Sequence, residues 1–291
     1  MNGGGVTPAY VTTAHALLVA PFESLAFMRS ALVACVALAL ANGVIGTMLL
    51  LRRMSLEGDV LAHAVMPGAA IGFLYAGPSP TFLSLGGLGS GLIVASIAVM
   101  LGGRSNRVEG GLIAFHLAAL ALGVVLVAWR GSNADIMHVL FGTVLAIDRT
   151  ALLQIATAAS VILLVVAALY RPLAANALDP AFLRLIGSRT PYGAIFLVLV
   201  VIALVAGFQA FGTLLAIGPL LLPAAAARCF RLGVAGSMAL AVGFGLASSL
   251  AGLLLSYHRN LPSGPLIVLA GALLFALSLA ATRLPHARGL R

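Results

Sequence analysis

Lysine is absent from all 291 residues. A Walker A loop needs a lysine to reach the nucleotide phosphates, so the chain does not hydrolyse ATP by that route. A lysine Schiff base, as in retinal or pyridoxal chemistry, is excluded for the same reason. Charge of either sign is scarce: 8% of residues are charged and 62% are hydrophobic, against roughly 25% and about 45–50% in an ordinary soluble domain. No water-facing surface can be assembled from that composition, which excludes a soluble globule. The only two cysteines, Cys35 and Cys229, form no CxxC motif and read as small buried hydrophobes. Neither HExxH nor GxSxG occurs, so an intramembrane hydrolase lacks its signature. The run GGLGSG at 86–91 misses the GxGxxG spacing, and close helix packing by small residues accounts for it better.

What the chain does have is long apolar runs. A spanning helix needs about 20 mostly apolar residues, and the candidates are 31–51, 60–76, 81–101, 111–129, 150–170, 190–211, 213–227, 233–257 and 262–282. The seventh is short and carries Pro219 and Pro223, so it reads as broken or partly inserted. Stretches 11–22 and 136–147 are too short to span and read as interfacial or re-entrant. The expectation is an all-α polytopic bundle of eight or nine spans. Residues 31–282 form one membrane domain, after an N-terminal segment 1–30 and before a tail 283–291. The start MNGGGVTPAY lacks the basic n-region of a secretory signal, so all of it is expected in the mature chain.

The formal net charge of +9 rests entirely on arginine. Loops 52–59, 102–110, 171–189 and 228–232, together with the tail, hold Arg52, Arg53, Arg104, Arg107, Arg171, Arg184, Arg189, Arg228, Arg231, Arg283, Arg288 and Arg291. The opposite side keeps only Arg29, Arg130, Arg149 and Arg259. This asymmetry follows the positive-inside rule and puts the N-terminus outside and the C-terminus in the cytoplasm. The surplus therefore records orientation, and nucleic acid is not an expected partner. Loop 171–189 is too short for a domain but long enough for a small helix, with Asp179 as its N-cap and Pro180 as its first residue.

Ionisable groups inside apolar segments are costly and point to function. Asp59 and His63, four apart in GDVLAHA, share one helix face. An oxygen and an imidazole nitrogen at that spacing can hold one divalent cation such as zinc, manganese or ferrous iron. The other reading makes Asp59 an N-cap and His63 a hydrogen-bonding partner of a neighbouring helix. Met66 lies on the same face and reads mainly as packing, while Pro67 removes the N–H that would bond the His63 carbonyl. Asp135 and His138, three apart, read chiefly as a helix cap and a solvated side chain. His15, His116, His258 and His286 stand alone, and Glu109 caps or pairs at the membrane face. Gly68 and Gly72 form a GxxxG pair, too common a pattern to name a partner.

Six segments in order resemble the membrane permeases of bacterial zinc, manganese and iron ABC importers. They are RRMSLEGDVLAHAVMPG (52–68), RVEGGLIAF (107–115), ADIMHVLFG (134–142), DPAFLRLIG (179–187), FGTLLAIGPLLLPAAAAR (211–228) and LLLSYHRNLPSGPLIVL (253–269). The resemblance implies a homodimer in the inner membrane, powered by separate cytoplasmic ATPase subunits. It also implies an extracytoplasmic metal-binding protein that delivers the ion; no permanently bound cofactor is expected. By resemblance, Asp179, Pro180, Phe182, Leu183, Leu185 and Gly187 match the region that docks on the ATPase. Asp59 and His63 fall on the family's GDxLxHA pattern and become the expected metal contacts. His138 and Met66 depart from the family pattern, which leaves His138 unassigned and supports packing for Met66. The alternative is a proton-coupled secondary carrier that uses the same Asp–His pair as a relay.

Overall fold

In hydrocarbon a backbone has no partner but itself, so apolar runs of this length must be helical or closed into a barrel. The computed structural model describes residues 20–77, 79–101, 117–126, 128, 129, 142, 144–179, 190–213 and 215–287. Every regular element among them is helical. In chain order these are α1 (Ala20–Ser24), α2 (Ala26–Leu51), α3 (Ser55–Ala76), α4 (Pro80–Leu101) and α5 (Leu117–Leu126). A 3₁₀ turn, Val144–Ala146, leads into α6 (Arg149–Ala168) and α7 (Tyr170–Leu178). Then follow α8 (Tyr192–Phe211), α9 (Ile217–Arg228), α10 (Val234–Arg259) and α11 (Ser263–Ala287).

Seven of these helices are long and apolar enough to cross a membrane. The expected eight or nine spans included 213–227, which contains most of the 12-residue α9, and 111–129, of which α5 and residues 128 and 129 are described. Pro219 falls in the first turn of α9, where its missing N–H costs nothing, and the helix continues through Pro223 to Arg228. Residues 1–19 and most of 130–143 lie outside the described residues. So do the expected docking residues Pro180, Phe182, Leu183, Leu185 and Gly187. Asp179 follows α7 as its C-terminal flanking residue in extended conformation.

Burial sorts the helices. α2, α3 and α8 have 67%, 67% and 72% of their most apolar windows enclosed, whereas α4, α6 and α11 have under a third. The core runs from Ile45 and Met48 of α2 through Leu61 of α3 to Phe196, Val200 and Leu204 of α8. Glycine lets backbones meet where hydrocarbon alone gives helices little reason to associate. Gly46 of α2 lies against the Leu220 carbonyl of α9, and Gly252 of α10 lies against the backbone of Ile267 in α11. Helices α3 and α4 meet at two such points, where Gly68 meets Gly86 and Gly72 meets Phe82. The GGLGSG run is thus a packing surface, and the GxxxG pair faces it.

Contacts fix which helix ends lie together. Arg228 at the end of α9 donates to the Leu50 carbonyl of α2, and Arg52 stacks on Phe196 near the start of α8. The opposite end gathers the start of α4, the start of α6 and the finish of α8, joined by side-chain hydrogen bonds.

Candidate functional site

The site is built on the reversal between α2 and α3. Arg53 turns the chain in a left-handed conformation (φ 58°), and Met54 N–H donates back to the Leu49 carbonyl. Gly58 then packs on the Leu49 side chain, where an added Cβ would lie 2.6 Å from its Cδ2. Helix α3 starts at Ser55, five residues before the hydropathy pattern indicated, because Glu57 and Asp59 depress hydropathy without preventing helical hydrogen bonding. Asp59 therefore lies in the second turn, and Met54 occupies the N-cap. That removes the reading of Asp59 as a cap.

One turn on, His63 faces it, with Nε2 3.8 Å from Asp59 Oδ1. This is too long for a hydrogen bond, so the two groups are neighbours that have not closed on each other. Two ligands at about 2.1 Å from one ion, at a right angle, stand ~3.0 Å apart. A small inward movement of either side chain reaches that spacing. Burial is uneven: the His63 side chain is 10% exposed and that of Asp59 37%. His63 lies ~12 Å along α3 and Asp59 ~6 Å, so the histidine is the deeper of the two.

The flanking residues have packing roles. Met66 is fully buried, and its side chain fills the space beside Gly123 of α5. Pro67 sits inside α3 as expected. Among the described residues, no three of His, Cys, Asp and Glu converge to hold an ion. His258 lies edge-on to Tyr257 in the last turn of α10, at the end of the bundle opposite Arg52. Asp135, His138, His15, His116 and Glu109 fall outside the described residues, and His286 is known only as a position in the last turn of α11.

Arg52 introduces a different electrostatic feature. Its guanidinium lies 4.0 Å over the Phe196 ring, and its enclosed Nε and Nη2 have no hydrogen-bond acceptor among the described residues. Burial pushes its pKa down to about 10, so it remains charged at neutral pH.

Two polar residues that sequence reasoning passed over meet in the fold. Gln154 of α6 and Gln209 of α8 are the only glutamines in the chain. Gln209 Nε2 donates to Ser84 Oγ of α4 and to Gln154 Oε1 at 2.8 Å. Gln154 Nε2 donates to Thr81 Oγ1 at 3.0 Å. This clasp joins three helices at the end remote from Arg52. An isolated glutamine within each of two apolar runs was the available signal. Interhelical bonds of this kind contribute about 0.6 kcal/mol on average and up to ~1.7. Gln209→Leu, which removes both Gln209 donations and leaves Ser84 and Gln154 bonded only to each other and to α4, is expected to lower the melting temperature in detergent by a few degrees, read by fluorescence scanning.

Residues 24–282 match the model of the family described as ABC 3 transport family. The manganese import system permease protein ScaB of Streptococcus parasanguinis is 31% identical over 254 residues, covering 87% of this chain and 89% of that protein. The manganese transport system membrane protein MntC of Halalkalibacterium halodurans is 33% identical over 261 residues, covering 88% and 87%. The solved structure of PsaBC from Streptococcus pneumoniae in complex with Fab superposes with a TM-score of 0.81 at 27% identity, covering 90% of this chain and 94% of that one.

Proposed function

The chain belongs to the ABC 3 transport family, and from that premise we propose that it is the subunit through which an ABC importer carries manganese across the membrane. It is a multi-pass membrane protein and a permease of the metal-transporting type. The observation that carries the choice of manganese is the near-full-length similarity to permeases named for manganese import. The local chemistry agrees with that choice. A carboxylate suits hard divalent ions and an imidazole accommodates manganese, iron and zinc.

In this reading the cargo reaches Asp59 and His63 from the outer side and leaves past the arginine-bearing end. The Asp59 carboxylate offsets the charge of an ion that is shedding water, and His63 supplies a neutral nitrogen deeper in α3. Energy comes from a separate ATPase, in keeping with a chain that has no lysine. Asp179, Pro180, Phe182, Leu183, Leu185 and Gly187 are the residues on which that ATPase docks. An extracytoplasmic protein delivers the ion, and two copies of the chain pair. Arg52, Arg53, Arg171, Arg228 and Arg231 mark the cytoplasmic face, which leaves the N-terminus outside and the C-terminus inside.

Deleting the chain from its own cells is expected to cut cell-associated manganese at limiting supply several-fold, measured by elemental analysis, and re-expression to restore it. Zinc and iron contents are expected to stay at the parental level. A fall in zinc or iron with manganese unchanged reassigns the cargo. Uptake that persists without the partner ATPase but collapses with the proton gradient replaces the importer with a secondary carrier.

A further inference from the structure

Two turns meet at the arginine-bearing end of the bundle. One joins α2 to α3 and carries Arg52 and Arg53; the other joins α9 to α10 and carries Arg228 and Arg231. The hydrogen bond from Arg228 Nη1 to the Leu50 carbonyl holds the turns side by side. Among the described residues, only three positions other than glycine have positive φ, and two of them are Arg53 (58°) and Arg231 (52°). A left-handed backbone costs roughly 1–2 kcal/mol at a residue with a Cβ, and arginine has no special tolerance for it. Such strain persists where the conformation is needed. Here it displays two exposed guanidinium groups beside a third, Arg228.

Next to Arg53 in the chain is Arg52, whose Nε and Nη2 are enclosed and have no acceptor among the described residues. A guanidinium desolvated without an anion is costly, and stacking on Phe196 returns only about 0.5–2 kcal/mol. The α9–α10 turn also presents Phe230 and Leu232 at 41% and 49% exposure, next to the arginines. Exposed arginines alternating with exposed apolar side chains fit the boundary between headgroups and acyl chains, where guanidinium meets phosphate bidentately.

We propose that these two turns bind the phosphate of an anionic phospholipid, with Arg53, Arg228 and Arg231 holding the headgroup and Phe230 and Leu232 seated among its acyl chains. The lipid charge lies beside Arg52 and compensates it. Lipid binding at these turns does not depend on which metal the chain carries.

The test uses the full chain purified in a neutral detergent, with thermal stability read on adding phosphatidylglycerol, phosphatidylcholine or inorganic phosphate. Phosphatidylglycerol at a hundredfold excess over its dissociation constant is expected to raise the melting temperature by about 5 °C. Phosphatidylcholine and inorganic phosphate should raise it by far less. The double variant Arg228→Gln/Arg231→Gln is expected to lose most of that shift, and native mass spectrometry should show fewer retained lipids. Phe230→Ser/Leu232→Ser, which keeps the arginines, is expected to weaken the shift and so separates a lipid from a bare anion. Equal shifts with phosphatidylcholine, an undiminished shift in the arginine variant, or full reproduction by inorganic phosphate would each overturn the proposal. Loss of the lipid effect when the ATPase subunit is bound would assign the surface to that subunit and overturn it too.

Discussion

Gly68→Leu is expected to leave almost no correctly assembled protein in the membrane. An ideal Cβ at Gly68 would meet the carbonyl oxygen of Gly86 and the hydroxyl of Ser90. The contact is reciprocal, since a Cβ at Gly86 would meet the Gly68 carbonyl, and one at Gly72 would meet that of Phe82. These neighbours are chiefly backbone, which cannot rotate aside as the end of a flexible side chain can. Overpacking a closed core costs about 1–3 kcal/mol for modest insertions, and leucine adds four carbons at a point with room for none. A loss above ~3 kcal/mol removes much of the 5–15 kcal/mol that holds a typical native state. Membrane abundance by immunoblot and monodispersity after extraction are the measurements. Gly68→Ala should fall between leucine and the parent, and Gly89→Leu should be near normal, because nothing lies within 4 Å of a Cβ at Gly89. Parental abundance and melting temperature in Gly68→Leu would mean that α3 and α4 do not pack through this face.

The same glycines show what kind of information a local pattern carries. GGLGSG at 86–91 was legible as a packing surface because residues three and four apart share a helix face, and small residues there have a mechanical meaning, whereas the 68/72 pair alone named no partner. Hydropathy located the spans for the same local reason, and the brevity of the run at 213–227 marked α9 as short. The start of α3 was not legible: hydropathy weighs the acidic side chains of Glu57 and Asp59, whereas helix formation is decided by backbone bonds such as Gly58 N–H to Met54 O. The glutamine clasp was hidden for a different reason. Its partners stand 55 and 125 residues apart in the chain, so no spacing encodes their meeting. Asp59 and His63 were legible as a pair because their geometry is contained within one turn. Their unequal burial depends on how α3 is surrounded, which only the fold supplies.

That pair should respond to substitution as one unit. His63→Ala and Asp59→Asn are each expected to reduce manganese uptake at limiting metal by at least about tenfold, by analogy with the 10–100-fold losses seen when the surroundings of a metal ligand are disturbed. The reasons differ. Asparagine keeps the shape of Asp59 but cancels the negative charge that, in the proposed role, would offset a partly dehydrated cation. Alanine at His63 removes the nitrogen donor and opens a void at a site that is 8% exposed in all. Asp59 is the more accessible residue, so Asp59→Asn should leave folding intact and give the cleaner measurement. If both side chains hold the same ion, removing the second costs little once the first has gone, and the double variant should transport about as slowly as the worse single one. Radioactive manganese uptake, normalised to membrane abundance, measures all three variants. Multiplying losses would place the residues at separate stations along the route. Parental uptake in both single variants would take the pair out of the route altogether. Raising external manganese separates weak capture from a blocked path: a variant that only binds the ion less tightly recovers its rate, and one that has lost the path does not. Recovery is the expected result for Asp59→Asn, because its contribution is attraction of charge, and attraction can be replaced by concentration.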